Sequence, residues 1–451
     1  MGLSFEEDMA AGEYVPGFAI EQPTQAPRRS DLLSKLESAN RSAWLWVTAQ
    51  MVAVAGAAFL IDWQRIINEP LLSAVAIGLM VGPPTMELMK LWAQNKKEID
   101  ELKEDTRFGV FDKHLLRRLQ RDTLRQLGLP DERVPVYITA DKSLNASAVR
   151  LGLGAFFKSL NGVYLNRQIL HRLDPQEVQD IMGHELGHYY KYYLVNSRFL
   201  ALTFLLGGMV GLIVAQWTGM SSFFSVIISF ACASGFWKIT GLLWSKHGET
   251  IEYLCDDLGA HVHGVHVSIN GLLKIGIDAE TQMEIHHQAL QATQHGNLSA
   301  RSVVEAVQAA IPYGNPSRGE LEKAVERSLK IHARKESGIS LGGFYRYLRD
   351  SESEQNVEDQ LAEQRQMFEA LQTLPRLPWE SLLRDPQQIH FAENELHRLI
   401  DLLESRPTEL LFRLPEEAAR TGDVHPPLRN RILYLWYNRG EIEQSIRRSL
   451  N

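Results

Sequence analysis

Gly183-His184-Glu185-Leu186-Gly187-His188 is the stretch on which the reading of this chain turns. On a helix, positions i and i+4 lie one above the other, so His184 and His188 can offer two imidazole nitrogens to one metal ion. Glu185, one step round, then stands beside the metal's open position. There a carboxylate can take a proton from a metal-activated water, which is hydrolytic zinc chemistry. The helix is announced by Asp174 as cap, Pro175 in the first turn and Glu177 three residues after the cap.

A third ligand has to come from a second helix. Glu252-Tyr253-Leu254-Cys255-Asp256-Asp257-Leu258-Gly259-Ala260 offers Glu252 and Asp256, again at i and i+4. One carboxylate can ligate the ion while the other accepts the remaining ring N–H of a ligand histidine and fixes its tautomer. HELGH followed by E-Y-x-C-D-x-x-G-A resembles the membrane-bound gluzincin metallopeptidases of the HtpX and type I CAAX prenyl protease kind. That family usually carries Ala where this chain has Cys255. The resemblance implies Zn2+, one per chain, held by His184, His188 and Glu252, with Glu185 as general base and Asp256 orienting a ligand histidine.

Working outward, the chain has 451 residues, a formal charge of -8 and 45% hydrophobic residues, enough for a large core plus membrane spans. The mild acidity is no nucleic-acid signature. Two cysteines, Cys232 and Cys255, exclude a disulfide framework and suit a reducing compartment. The acidic N-terminus lacks the basic start and apolar run of a signal peptide, so export of the whole chain is not expected.

The expected organisation is a flexible tail (1–43) ending in a short amphipathic piece around Leu32 to Leu36, a transmembrane hairpin (44–92), a first catalytic part (93–198), a second hairpin (199–245), a second catalytic part (246–270), a charged helical region (271–412) and a closing segment (413–451). Trp44 to Ile61 is charge-free and flanked by aromatic residues, while Leu71 to Met86 is short and broken by Pro83-Pro84. Phe199 to Trp217 is charge-free, with Gly207-Gly208 and Gly211 allowing close packing; Phe223 to Trp244 carries only Lys238. Asn161-Gly162 signals a hairpin between Phe156-Phe157 and Val163-Tyr164-Leu165. The fold class is therefore a mainly α membrane protein, with about four transmembrane helices and a gluzincin-type cytoplasmic domain containing a small β-sheet.

Because the motif helix enters one end of the second hairpin and Glu252 follows the other, both metal-binding segments lie on one side of the membrane. Lys and Arg concentrate on that side, which makes it cytoplasmic by the positive-inside rule. The motif precedes the apolar run, unlike intramembrane site-2 proteases, so chemistry at the membrane surface is expected.

By resemblance, Asn145 and Ala146 lie on an edge strand that holds the substrate backbone; a purely structural strand is the alternative. Val424 to Ile432 resembles the family's closing H-P-x-x-x-x-R-I segment, making His425 and Arg431 oxyanion or substrate candidates. A plain helix start with Arg431 paired to an acid is the alternative. His261, His263 and His266, and likewise His286, His287 and His295, read as ordinary histidines rather than a second metal site. Cys255 either packs in place of Ala or lies near the metal as a redox-sensitive thiol.

The implied protein is an integral-membrane zinc metalloendopeptidase of the bacterial inner membrane. It would cut peptide or protein substrates, foremost damaged membrane proteins, and its partners would be those substrates and the lipid bilayer, with no nucleic acid. A non-cleaving zinc-binding scaffold or sensor, and a CAAX-type processing protease, are the competing readings.

Overall fold

The computed structural model describes residues 26–79, 95–129, 134–141, 144–150, 161–293, 366–385, 389–418 and 425–450. Within them, three helices are long and apolar enough to cross a membrane. These are α1 (Arg29–Leu60), the helical stretch Val195–Trp217, whose α-helical part is α7 (Leu200–Trp217), and α8 (Ser222–Ser245). After the short α2 (Trp63–Asn68), the apolar α3 (Pro70–Leu79) starts the expected return span. Pro83-Pro84 and the remainder of that run lie outside the described residues, as do Phe156-Phe157 and most of the charged region.

α1 corrects one expectation. Residues 29–43 are not a tail ahead of the first span but its opening turns, continuous with it. The reason is packing: Leu32, Leu36 and Ala39 fall on one helical face and are buried in the same apolar cluster as Leu254 and Leu258. At the other end of α1, Gln216 accepts a hydrogen bond from the Asp62 N–H at 2.9 Å, and Arg65 Nη2 donates to the Met220 carbonyl at 2.6 Å. The turn after α1 therefore meets the α7–α8 turn.

α7 and α8 pack through small residues, as their sequence leads one to expect. A Cβ on Gly211 would sit 2.5 Å from the Ser229 Cα, and one on Gly207 2.7 Å from the Cys232 carbonyl oxygen. Where lipid tails are as apolar as the side chains, such close backbone approach is what holds helices together.

The small sheet has the order β1 (Lys96–Glu98), β4 (Val136–Thr139), β6 (Gly162–Asn166), β5 (Ala146–Val149). β4 and β6 are parallel; β1 and β5 run antiparallel to their neighbours. A separate two-stranded ribbon, β2 (Arg107–Phe108) and β3 (Phe111–Asp112), leads into α4 (Lys113–Gln126). Asn161-Gly162 is not a two-residue turn. Gly162 opens β6 and pairs with Val149, and glycine is needed because a Cβ there would lie 2.2 Å from the Pro135 carbonyl oxygen.

α4, the sheet and α6 (Pro175–Leu186) enclose one apolar core. A second core gathers α9 (Gly248–His263), α10 (Val265–Thr293), the segment from Leu377 to Leu414 and the helix Leu428–Leu450. The breaker at Leu374 to Pro378 is an extended piece: Leu377 N–H donates to the Leu410 carbonyl at 2.8 Å, and Trp379 next to it is fully buried.

α6 and α9 join the two cores along a seam of small residues. A Cβ on Gly183 would lie 3.1 Å from the Gly259 Cα, one on Gly187 2.9 Å from the Cys255 Sγ, and one on Gly259 2.8 Å from the Asp180 carbonyl oxygen. Gly259→Ala gains at most about 1 kcal/mol of helix propensity. The clash is with backbone, where overpacking costs about 1–3 kcal/mol. Chemical denaturation in detergent is expected to show net destabilisation, and an unchanged midpoint would refute this account of the seam.

Candidate metal centre

The seam fixes where the motif residues meet. α6 begins as its sequence predicts: Glu177 Oε2 accepts from the Asp174 N–H at 2.8 Å, and Lys274 of α10 bonds both carboxylates, at 3.0 Å to Asp174 and 2.8 Å to Glu177. The α-helix then ends at Leu186, and Gly187–Lys191 form a π-helical turn that carries His188. The widened turn coincides with Gly187, the point where α6 touches Cys255. Such π-turns are common at functional sites. The i, i+4 expectation thus holds for contact but not for uniform α geometry: His184 Nε2 and His188 Nε2 are 3.2 Å apart.

Glu252, on the second turn of α9, faces both. Its Oε1 is 3.3 Å from His188 Nε2 and its Oε2 is 3.5 Å from His184 Nε2. One ligand atom from each of the three residues lies within 4.8 Å of the others. This is a donor set for one ion, and among the described residues no other group of its kind occurs. The buried Glu252 carboxylate faces nitrogens of His184, His188 and His425, so two imidazoles and an acid converge as nitrogen and oxygen donors of the kind that zinc takes. The residues present fit a metal.

The surroundings orient the ligands. Asp256 Oδ1 lies 2.9 Å from His184 Nδ1, which leaves Nε2 turned toward Glu252 and His188. Arg431 grips Asp256 with two bonds, Nε to Oδ2 at 2.7 Å and Nη2 to Oδ1 at 2.5 Å. Burial alone would lift the Asp256 carboxyl; the guanidinium outweighs it and holds the group below the usual range. Burial would depress His184, but Asp256 and Glu252 push its imidazole up to about 10. Glu252 is likewise held low by His184, His188 and His425 against its own burial.

Arg431 departs from the expectation of an oxyanion donor, because the two nitrogens that meet Asp256 are committed to it. His425 Nδ1 stands 3.0 Å from Glu252 Oε2 and is largely exposed on the open side. Glu185 is buried beside the histidines, forms no hydrogen bond or ion pair among the described residues, and has its carboxyl raised chiefly by burial. β5, bearing Ala146 and preceded by Asn145, is the edge of the sheet and packs against α6 and the π-turn.

The other histidines face elsewhere. His263 Nε2 is 2.6 Å from Gln179 Oε1, His266 Nε2 is 2.6 Å from the Phe391 carbonyl, and His261 bonds the Asp257 carbonyl and Ser445. His287 is buried and stacked on Phe368; His295 lies outside the described residues. Cys255 is fully buried in the seam, where burial raises its thiol, so packing accounts for it.

Sequence reading missed a clamp beside the site: Arg29 Nε, at the start of α1, bonds Asp257 Oδ2 at 2.8 Å, and Asn438 accepts the Arg29 N–H at 3.2 Å. It also passed over the seam, although Gly183, Gly187, Cys255 and Gly259 stand at fourfold spacing in two helices that had to meet.

Neither the comparison with curated proteins nor that with solved structures returns a match. Residues 112–317, which include both the His184–His188 turn and Glu252 to Asp256, match the family model Peptidase family M48, the family of the HtpX and type I CAAX membrane metallopeptidases.

Proposed function

We propose that the chain is a zinc-dependent metalloendopeptidase, integral to a bacterial inner membrane, that hydrolyses peptide bonds of damaged membrane proteins at the cytoplasmic surface. The observation that carries this reading is the convergence of His184, His188 and Glu252 within 4.8 Å beside the unpartnered carboxylate of Glu185. A structural zinc site has no use for such a base and normally closes all four positions with protein ligands.

Zn2+ held by His184, His188 and Glu252 supplies Lewis-acid chemistry, polarising oxygen and making water a usable nucleophile at neutral pH. Glu185 takes the proton of the attacking water and returns it to the leaving amine nitrogen. Asp256 fixes His184 with Nδ1 protonated and Nε2 free to ligate, and Arg431 positions Asp256. His425 is the candidate donor to the developing oxyanion. Asn145 and Ala146 on the β5 edge offer backbone groups to an extended substrate, a mode that binds many sequences. His425 and Arg431 lie beyond the residues matched by the family model.

The cytoplasmic side is supported by charge. Arg28 lies just before α1 and Arg29, Lys35 and Arg41 lie on its opening turns, ahead of its charge-free part; Lys191, Arg198 and Lys246 border the second hairpin at the metal-centre end, against Arg65 alone in the opposite turns.

The test is cleavage of casein and of a membrane-protein substrate by the detergent-purified chain. 1,10-Phenanthroline is expected to abolish cleavage, and stoichiometric Zn2+ to restore it. A protein with zinc verified at one per chain that cuts neither substrate would refute the endopeptidase reading and favour a zinc-holding scaffold.

A further inference from the structure

A groove of about 680 Å3 lies between the opening turns of α1 and the end of α8. It is lined by Lys35, Ser38 and Trp46 on one side and by Trp244, Lys246 and His247 on the other. Three ring nitrogens in these walls, Trp46 Nε1, Trp244 Nε1 and His247 Nδ1, are shielded from water and have no hydrogen-bond partner among the described residues. A buried polar atom left unpaired is costly, so three around one concavity call for a polar occupant. Lys35 and Lys246 are exposed and make no ion pair among the described residues. Asp31 also lines the groove, one turn before Lys35, and accepts a bond from Ser30 Oγ at 3.3 Å. The formal charge of the walls remains positive.

Next to these polar walls the two helices turn apolar and bare. Leu45 is 74% exposed, Leu242 67% and Leu243 54%, and Leu243 itself lines the groove. Cations and aromatic N–H donors therefore meet lipid-facing leucines at the level where a bilayer places its phosphates. We propose that this groove is a binding site for one anionic phospholipid. Its phosphate pairs with Lys35 and Lys246, the ring N–H groups turn from their shielded positions toward it, and its acyl chains run down α1 and α8. A soluble phosphate compound would use the cations but leave the leucines uncovered. An ordinary belt of interfacial aromatics would not gather two unpaired cations and three unpaired ring nitrogens in one hollow. The site abuts the metal centre in sequence, since His247 immediately precedes α9, which carries Glu252.

The inference rests on the membrane placement of α1 and α8, not on the peptidase chemistry. A chain recovered in the soluble fraction without detergent would overturn that placement and this site together, whereas failure of lipid selectivity alone overturns only the site.

The experiment is native mass spectrometry of the detergent-solubilised full chain, titrated with phosphatidylglycerol or phosphatidylcholine. Phosphatidylglycerol is expected to be held about tenfold more tightly, and Lys35→Gln with Lys246→Gln to erase that preference. Ser38→Trp, which fills the groove without changing charge, is expected to displace the lipid, so the result does not hang on the charge variant alone. All three are exposed positions outside the catalytic machinery, and an unchanged circular-dichroism spectrum and elution volume in detergent report that the variants are folded. Equal retention of the two lipids, or a preference that survives both variants, would show annular lipid only and overturn the proposal. Displacement by glycerol 3-phosphate at equal concentration would overturn the lipid as occupant in favour of a soluble phosphate.

Discussion

Glu185→Gln is expected to lower kcat/KM on casein by about 10²–10⁴-fold while the bound zinc stays at the wild-type level. Glutamine keeps the shape and the burial of the side chain but cannot accept a proton, so the proton transfer is removed and little else. Glu185 is not among the three converging ligand residues, which is why metal content should not change. Atomic absorption on the purified variant beside its cleavage rate checks both halves. A variant that still cuts at the wild-type rate would remove Glu185 from the mechanism, and a variant that loses its zinc would make the rate uninformative about the base.

The second large effect concerns a charge that only one residue compensates directly and bidentately. Arg431→Ala leaves Asp256 buried without its guanidinium, and breaking such a pair by removing one partner costs about 3–5 kcal/mol. Lysine keeps the charge but not the two-pronged geometry, so Arg431→Lys is expected to fall between wild type and alanine. Zinc affinity should fall as well, by about 10–100-fold, because Asp256 would no longer be held against His184 Nδ1. The pH dependence has a definite sign. Asp256 is depressed below its ordinary value of 3.8, so its contribution to stability is complete above that pH and is lost as pH falls through the lower folded value. With Arg431 gone the folded value rises, and acid unfolding should begin at higher pH. Unfolding midpoints across pH 3 to 7, measured with zinc and with chelator, separate the two consequences; an alanine variant as stable as wild type at all pH values would refute the pairing.

The chemistry-bearing residues were legible because metal ligation imposes spacing. Two imidazoles one helical turn apart and a carboxylate pair on a second helix are patterns that few other constraints produce. The capping box at Asp174 and the glycines of α7 were legible for similar reasons, each being a short-range rule. What escaped was set by contacts between distant segments. Nothing near Arg29 announces that it will meet Asp257, and nothing near Arg431 tells a paired guanidinium from a free one. Asn161-Gly162 shows the opposite error: the dipeptide has the chemistry of a tight turn, but Gly162 is required by the Pro135 carbonyl, a neighbour supplied by the sheet. At 29–43 the amphipathic piece around Leu32 to Leu36 was legible, but its continuity with the first span was not, since what its apolar face packs against is supplied by α9.

The bidentate grip on Asp256 has a further consequence for how the enzyme comes into being. Arg431 lies 175 residues after Asp256, and α7 and α8 separate the two histidines from Glu252. At about 5–20 residues per second, the ribosome needs roughly 9–35 s to travel from the acid to its counter-charge. During that interval a nascent chain already holds all three ligands and the base, yet the carboxylate that orients His184 lacks its bidentate guanidinium partner. The bidentate grip on Asp256 can therefore form only after both spans of the hairpin have been made, the last of the contacts that orient His184 to become available.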